Sequence, residues 1–137
     1  RRQRQMCIRD SMGRLRCVQE ISAVTAACMM VKTSVFKAVG GFDEELKVAF
    51  NDIDLCMKVR KYGVKIVFTP YAELYHYESK SRGMEDTPEK QLRFSREVNC
   101  FRRKWERELL KGDPYYNPNL TLNNTDCSLR KQEKNGD

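Results

Sequence analysis

Two carboxylates at the start of a predicted helix are the side chains of this sequence best suited to chemistry. Asp52 and Asp54 follow Asn51 in residues 40–55, which read GGFDEELKVAFNDIDL. Carboxylates in a first helical turn can simply offset the helix dipole, which contributes roughly 0.3–1 kcal/mol each. One can instead serve as a general base. Successive first-turn residues point in different directions, so we expect Asp52 to face a cleft and Asp54 to accept bonds from backbone or loop donors.

Two further features of the sequence could belong to a site. His76 is the only histidine of the chain. It could hydrogen-bond within a sheet, or it could bind a metal with partners from elsewhere, because one imidazole alone makes no metal site. Gly40 and Gly41 stand where a helix stop is expected, and their backbone could also approach a ligand closely. The residues alone leave these alternatives open.

Hydrophobic periodicity and chain breakers predict alternating strands and helices around these residues. The predicted elements are a buried strand over 20–32, a short helix over 35–39, a helix over 51–62, strands over 64–69 and 72–77, and a long helix from 88 to near 110. Candidate helix caps are Thr33 or Ser34, then Asn51 or Asp52, then Asp86 paired with Glu89. This order is typical of an α/β or α+β chain. No glycine-rich loop joins a strand to a helix, which excludes the dinucleotide and P-loop routes to phosphate binding.

Apolar side chains at helical spacing define the expected core. They are Leu55, Val59 and Tyr62 in the first long helix, and Phe94, Val98, Phe101, Trp105 and Leu109 in the second. Cys28, Cys56 and Cys100 sit among apolar residues and are expected to be small buried hydrophobes. The six cysteines lie at least ten residues apart, which excludes CxxC-type zinc and redox sites. Free thiols suit a reducing compartment, although the even count leaves disulfides open.

Length and charge limit the functions that are open to the chain. Its 137 residues suffice for one domain with a real core. The sequence predicts neither a membrane-spanning run nor a secretory signal. The net charge is +7, but residues 1–16 carry +5 of it. The remaining charge is that of an ordinary surface, and it does not indicate a nucleic-acid-binding face.

Taken in order, several stretches of the chain resemble one enzyme family. They read AACMMVKTSVFKAVGGFDEEL, FNDIDLCMKVRKYGVKIVFTPYAELYHYESKSRG and DPYYNPNLTL. Residues 18–129 are similar to the C-terminal half of the GT-A-fold, inverting nucleotide-sugar glycosyltransferases of family 2, and most to bacterial rhamnosyltransferase-like members. The resemblance implies an α/β fold class: the C-terminal part of a GT-A fold, with a mixed sheet, flanking helices and a long C-terminal helix.

The resemblance also implies roles for the residues introduced above. Gly40 and Gly41 match the family's glycine loop near the donor sugar and the acceptor. Asn51 and Asp52 match its acidic pair, with asparagine in place of the usual glutamate, so that Asp52 is the implied general base. Asp54 matches the next acidic residue of that motif, and with Asn51 it is expected to help bind donor or acceptor.

Cofactor and domain boundaries follow from the same resemblance. His76 matches a histidine that joins the metal and diphosphate site, which implies Mg²⁺ or Mn²⁺. The full metal site needs the family's N-terminal half, whose DxD motif has no counterpart upstream of Gly40 here. We therefore expect residues 12–129 to be a partial glycosyltransferase domain and 130–137 a disordered tail. Residues 1–11 resemble a translated transposon adapter at the end of a metagenomic contig; the alternative is a disordered basic tail.

The implied function is inverting sugar transfer in the synthesis of a bacterial cell-surface polysaccharide. Its partners are a nucleotide-sugar donor and a glycan or lipid-linked acceptor, with no nucleic acid and no transmembrane segment. The implied location is the cytoplasm or the inner face of the plasma membrane, and the chain alone is expected to be inactive. Two alternatives stay open: a small basic nucleic-acid-binding protein, and an interaction domain in which Asp52 and Asp54 only stabilise a helix end.

Overall fold

The computed structural model of the protein describes residues 16–75, 87–123 and 128–130. Its regular elements are strand β1 (Gln19–Glu20), a 3-10 turn (Ala26–Cys28), helix α1 (Thr33–Ala38), helix α2 (Asn51–Lys61), strand β2 (Val67–Phe68) and helix α3 (Pro88–Leu110). The two strands pair antiparallel, with Gln19 opposite Phe68 and Glu20 opposite Val67. An isolated bridge joins Leu120 to Leu129 near the end of the described chain.

The buried core lies where α2, α3 and the loop before α2 meet. Leu46 of that loop packs with Phe101 and Trp105 of α3 in one buried cluster. Helix α2 adds Leu55 and Val59, each at most 5% exposed. Met57 of α2 is half-buried and packs against the cluster formed by Leu46, Phe101 and Trp105. Burying a large apolar side chain contributes about 1.5–3 kcal/mol, so each of these buried side chains stabilises the fold appreciably.

The apolar stripes predicted for the two long helices are only partly buried. The prediction is confirmed at Leu55, Val59, Phe101 and Trp105, and Val98 is half-buried. In contrast, Tyr62 is 58% exposed, Phe94 44% and Leu109 45%. Tyr62 and Leu109 lie at the C-terminal ends of their helices, and Phe94 lies in the N-terminal third of α3. Cys56 is buried as predicted and Cys100 is half-buried, but Cys28 is exposed, so the prediction for Cys28 was wrong.

The buried strand predicted over residues 20–32 does not form beyond Glu20. The N–H of Ile21 still bonds to the carbonyl of Ile66 at 3.1 Å, but the chain then enters the 3-10 turn, and Met30 is 99% exposed. An apolar run of this kind is typical of a strand that is buried on both faces of a sheet. Among residues 16–75, 87–123 and 128–130, only β2 pairs with this segment, so the run lacks the second neighbour that would complete such a strand.

The other predicted strands are also shorter than expected. Residues 64–69 contribute only Val67–Phe68, residues 72–75 contribute none, and 76–77 lie outside the described residues. Within the described chain the predicted mixed sheet is therefore one antiparallel pair. The mixed helix-and-strand character and the long C-terminal helix are both observed. Of the predicted tail 130–137, only Arg130 is described, and its N–H bonds to the Asn119 carbonyl at 2.7 Å.

Glycine ends α1 as the sequence predicts. Gly40 and Gly41 both have left-handed backbones, with φ of 79° and 64°. Their N–H groups bond to the carbonyls of Lys37 and Phe36 at 3.1 and 2.9 Å, which is the Schellman pattern that satisfies the last carbonyls of a helix. We call residues 40–43 the glycine turn.

The predicted N-caps were wrong by one residue or more. Helix α1 is preceded by Lys32 without a side-chain cap, and α2 by Phe50 rather than Asn51 or Asp52. Helix α3 is capped by Thr87, whose hydroxyl accepts from the N–H of Lys90, while Asp86 lies outside the described residues. At α2 the cause is tertiary: aromatic packing holds Phe50 in place, so the capping preference of its neighbours does not decide where the helix begins.

Substituting alanine for Gly41 is expected to destabilise the fold by about 2–3 kcal/mol. Its φ is 64°, and an added Cβ would lie 3.0 Å from the ring of Phe36. Gly40 is the matched control, because its φ is 79° and an added Cβ meets nothing within 4 Å. Gly40→Ala should therefore cost only the backbone strain, about 1 kcal/mol. Urea unfolding of both variants measures the difference, and equal costs would contradict a role for the Phe36 contact.

Candidate active site

Asp52 lies in the first turn of α2 and faces the 3-10 turn. Its Oδ1 accepts a hydrogen bond from the N–H of Ile53 at 2.9 Å, and its Oδ2 accepts one from the N–H of Ala26 at 3.2 Å. The side chain is half-buried. No cation in the described part of the chain lies within ion-pair distance of Asp52. Two backbone donors thus hold its carboxylate in orientation, and no cation of the described residues pairs with it.

The residues just before Asp52 are held by α3. Phe50 has a left-handed φ of 63°, a conformation that costs a non-glycine residue of order 1–3 kcal/mol. Its ring stacks on Phe101 with centroids 5.0 Å apart and also lies against Phe94. Buried Glu97 accepts the N–H of Ala49 at 2.7 Å. Packing and this hydrogen bond therefore fix the backbone that places Asn51 and Asp52 at the helix start.

Asp54 is fully buried and surrounded by donors. Its Oδ1 accepts a 2.8 Å hydrogen bond from the indole N–H of Trp105 and lies 2.7 Å from Lys104 Nζ. Its Oδ2 lies 2.8 Å from Lys58 Nζ, as an ion pair whose angles are not those of a directed hydrogen bond. The two carboxylates of the motif are thus in different environments, as the first-turn geometry predicts, although the donors to Asp54 are side chains rather than backbone or loop groups.

The same two lysines reach the glycine turn. Lys58 Nζ donates to the Gly41 carbonyl at 3.0 Å, and Lys104 Nζ pairs with the carboxylate of Asp43. Asp54 therefore lies at the centre of an ionic cluster, defined here as Asp43, Asp54, Lys58 and Lys104. Through this cluster α2 and α3 both contact the loop that carries the two glycines.

The charges of the cluster shift the pKa values of its members. Burial alone would raise the pKa of Asp54, but the contacts with Lys104, Lys58 and Trp105 outweigh burial and hold that pKa below its ordinary value. The pKa of Asp43 is lowered chiefly by Lys104. Burial works against the charge of Lys104 as well, yet its two carboxylate partners raise its pKa above the ordinary value. All three groups are therefore charged at neutral pH.

These shifts predict how stability depends on pH. Since Asp43 and Asp54 have lowered pKa values in the folded state, their contribution is present above the ordinary Asp pKa of about 3.9 and is lost as pH falls through the folded values. The raised pKa of Lys104 contributes below about 10.4 and is lost as pH rises through its folded value. Urea midpoints should be flat between about pH 5 and 9 and fall on either side. Lys104→Met should flatten the acid limb, and an unchanged limb would contradict this assignment.

The candidate metal ligand cannot be placed. His76 lies outside the described residues, and among those that are described no group of three acidic, histidine or cysteine side chains could hold a metal ion. A cleft of about 880 Å³ opens on the side of α2 that carries Ile53 and Met57 and extends to residues 112–115. Asp52 does not line it. The cleft that Asp52 was expected to face is therefore not this one.

The residues of the glycine turn and of the first turn of α2 are those by which the sequence resembles a class of sugar-transferring enzymes. Comparison with protein families gives the same class: the chain belongs to the family described as glycosyltransferase-like family 2, which matches residues 1–98. This match confirms the resemblance to family 2, and the relatives described next are consistent with its rhamnosyltransferase-like members. Membership in family 2 implies a GT-A fold, with which the observed helices and strand pair are compatible.

Individual relatives are bacterial. The chain is 58% identical over 117 residues to the uncharacterized protein y4gI of Sinorhizobium fredii, covering 85% of this chain and 13% of that protein. It is 39% identical over 115 residues to the O-antigen biosynthesis protein RfbC of Myxococcus xanthus, covering 84% and 9%. It is 36% identical over 62 residues to an N-acetylglucosaminyl-diphospho-decaprenol L-rhamnosyltransferase of Mycobacterium tuberculosis, covering 45% and 20%.

The chain spans a fifth or less of each of these curated relatives. No solved structure matches it. Within the described part of the chain, none of the helices combines the length and the apolar character that crossing a membrane requires.

The sequence did not identify the residues that hold the site together. Sequence patterns singled out none of Lys58, Lys104 and Glu97 as site residues, and they placed Trp105 only in the predicted core of the second long helix. One signal was available: an Asp followed four residues later by a Lys, as at Asp54 and Lys58, is a favourable pair on a helix. The contacts of Lys104 and Trp105 with Asp54 span about fifty residues, and no local pattern reports them.

Proposed function

We propose that residues 12–129 form part of a family 2 glycosyltransferase domain, its C-terminal half, with Asp52 as the general base of an inverting transfer. The proposed donor is a nucleotide-diphosphate sugar, and the proposed acceptor is a glycan or lipid-linked hydroxyl in cell-surface polysaccharide synthesis. The named relatives support this choice, since one is an O-antigen biosynthesis protein and another transfers rhamnose to a lipid-linked acceptor. Rhamnose is the sugar we favour for this chain.

The observation that carries the proposal is the separation of Asp52 from Asp54. If both carboxylates served only to stabilise the helix start, neither would need a separate environment. Instead Asp54 is buried among cations, whereas Asp52 keeps an unpaired charge within the described chain and is oriented by two backbone N–H groups. A base needs both properties: a fixed direction and a lone pair that can take a proton.

The chemistry follows from this arrangement. An acceptor hydroxyl is a weak nucleophile until its proton is removed, and a base within hydrogen-bond reach takes that proton as the oxygen attacks the anomeric carbon. Attack from the face opposite the nucleoside diphosphate inverts the configuration as that group leaves. In our proposal Asp52 accepts the hydroxyl proton, Gly40 and Gly41 allow backbone to approach the sugars closely, and Asn51 assists binding. The side chain of Asp54 is fully buried, so Asp54 assists binding only through its neighbours and not by direct contact as expected from the sequence.

A divalent cation, Mg²⁺ or Mn²⁺, belongs to the proposal through the family alone. His76 is its one candidate ligand in this chain, and the described residues supply no cluster that would hold it. The proton transfer proposed above involves only the chain's own residues. Because the chain spans a fifth or less of each curated relative, we propose that the 137-residue chain does not transfer sugar by itself. Acceptor-dependent release of nucleoside diphosphate from a nucleotide sugar by the purified chain would overturn this proposal.

Segment exchange tests the proposed function. The 115 residues of this chain that align with the Myxococcus xanthus RfbC protein replace the equivalent segment of that protein in a strain that lacks it. We expect the chimera to restore O-antigen, measured on lipopolysaccharide gels, and the purified chimera to release nucleoside diphosphate from at least one nucleotide sugar. A stable, expressed chimera that does neither would contradict the proposal.

Location and partners beyond the substrates stay proposals as well. We propose that the domain works in the cytoplasm or at the inner face of the plasma membrane, where a lipid-linked acceptor is presented. The binding of nucleic acid is the competing function, and the concentration of positive charge in residues 1–16 counts against it. A chain lacking residues 1–16 should lose whatever affinity for nucleic acid the full chain has; retained affinity would favour the competing function.

A further inference from the structure

We propose that Lys58 and Lys104, both anchored on Asp54, are positioning residues that hold the glycine turn in register with Asp52. The catalytic part of this inference rests on the proposed function, whereas its structural part does not. The family comparison assigns no role to either lysine. Both would act through the turn and through α2, without touching substrate.

Each lysine ties a different point of the glycine turn to the same buried anion. Lys58, one turn after Asp54 on α2, donates to the Gly41 carbonyl at 3.0 Å while lying 2.8 Å from Asp54. Lys104 comes from α3 and pairs with Asp43 while lying 2.7 Å from Asp54. Two points of attachment fix both the distance and the rotation of a short turn, whereas one point would leave it free to pivot.

Burial makes these ties stronger than ordinary surface ion pairs. The Asp54 side chain is 0% exposed, and those of Lys58 and Lys104 are 19% and 31% exposed. Exposed ion pairs contribute about 0–1 kcal/mol, but a buried carboxylate left without its cations is costly because its charge is no longer compensated. The buried carbonyl of Gly41 likewise needs a donor, and Lys58 supplies it.

The two lysines connect the glycine turn to the first helical turn of α2, within a few residues of Asp52. Asp54 is two residues from the proposed base, on the same helical turn, and its N–H bonds to the Phe50 carbonyl at 2.8 Å. Any shift of the glycine turn relative to Asp54 is thus a shift relative to Asp52. A misplacement of about 1 Å can cost on the order of 100-fold in rate. Lys58 and Lys104 can therefore affect the rate of transfer by positioning the glycine turn relative to Asp52, without contacting the substrate.

Hydrogen exchange in the full 137-residue chain tests the structural part. Lys58→Met should raise amide exchange at Gly41 and Leu46, whose N–H groups bond to the carbonyls of Phe36 and Asp43, by at least about tenfold. Amides in the middle of α3 should change little. Lys47→Met is the matched control, because Lys47 is an exposed lysine next to the same loop, and it should leave exchange unchanged.

The RfbC chimera tests the catalytic part. There Lys58→Met should lower acceptor-dependent release of nucleoside diphosphate by about 10–100-fold, Lys58→Arg should recover most of it, and Lys47→Met should stay near the parent. Faster exchange in the turn with unchanged release would overturn the positioning role, and unchanged exchange would overturn the whole inference. A parent chimera that transfers no sugar defeats the proposed function instead, and the exchange measurement then decides whether Lys58 holds the turn.

Discussion

Replacing Asp52 by asparagine in the RfbC chimera is expected to lower sugar transfer by about 100- to 10,000-fold, the range typical for loss of a general base. This corresponds to about 3–5 kcal/mol of lost transition-state stabilisation. Asparagine has the same shape and keeps an oxygen that can accept the N–H of Ala26 or Ile53. It cannot take the proton of a hydroxyl at neutral pH. Acceptor-dependent release of nucleoside diphosphate is the measurement.

Two comparisons make that result specific. Glu44→Gln, which changes an exposed carboxylate of the preceding loop in the same way, should leave transfer within about threefold of the parent, because Glu44 lies outside the proposed site. The circular dichroism and urea midpoint of the Asp52→Asn chain should match the parent. Near-normal transfer by Asp52→Asn would mean that this carboxylate only stabilises the helix start, and the interaction-domain alternative would then be favoured.

Replacing Asp54 by alanine is expected to destabilise the fold by about 3–5 kcal/mol, the cost of removing one partner from a buried ionic group. The substitution leaves the Trp105 indole N–H without its acceptor and brings Lys58 and Lys104 together without the anion between them. It also leaves a small void beside the core. Urea unfolding of the 137-residue chain measures the loss as a lower midpoint with a similar slope.

The neighbouring carboxylate supplies the matched control. Asp52→Ala removes a negative charge from the same helical turn, but that charge is half-buried and unpaired within the described chain, so the cost should stay at about 1 kcal/mol. Asp54→Asn should fall between the two alanine variants, because it keeps an acceptor for Trp105 and loses only the charge. If Asp54→Ala cost no more than Asp52→Ala, the cluster would not contribute appreciably to stability.

The helices could be read from the sequence because their signals are local. Apolar residues at a spacing of three and four and glycine just after the last turn predicted α1, α2 and α3 to within a few residues. The strands were overpredicted for a physical reason. A β-prone run forms a strand only when another strand satisfies its backbone groups, and a run such as 20–32 cannot indicate whether such a neighbour is present.

In the candidate site, too, only the features with local sequence signals could be predicted. Asp52 and Asp54 were singled out as candidates because a first-turn position and a family motif coincide there, and their different environments followed from helix geometry. Which side chains surround Asp54 could not be predicted, since Trp105 and Lys104 reach it from a helix fifty residues away. The positive φ of Phe50 could not be predicted either, because an aromatic residue adopts a positive φ only where packing stabilises it.

The ion pairs of this chain should respond differently to ionic strength. The pair between Lys65 and Glu20 joins the region of β2 to β1, and its side chains are 72% and 36% exposed. Dissolved salt screens the interaction between exposed charges over a Debye length of about 10 Å at 0.1 M, and this length shortens as salt is added. Salt therefore weakens the exposed pair between Lys65 and Glu20. The fully buried Asp54 is beyond the reach of dissolved ions. In concentrated salt the contact between β1 and β2 should therefore weaken first. The glycine turn should stay attached to α2 and α3 through the ionic cluster around Asp54.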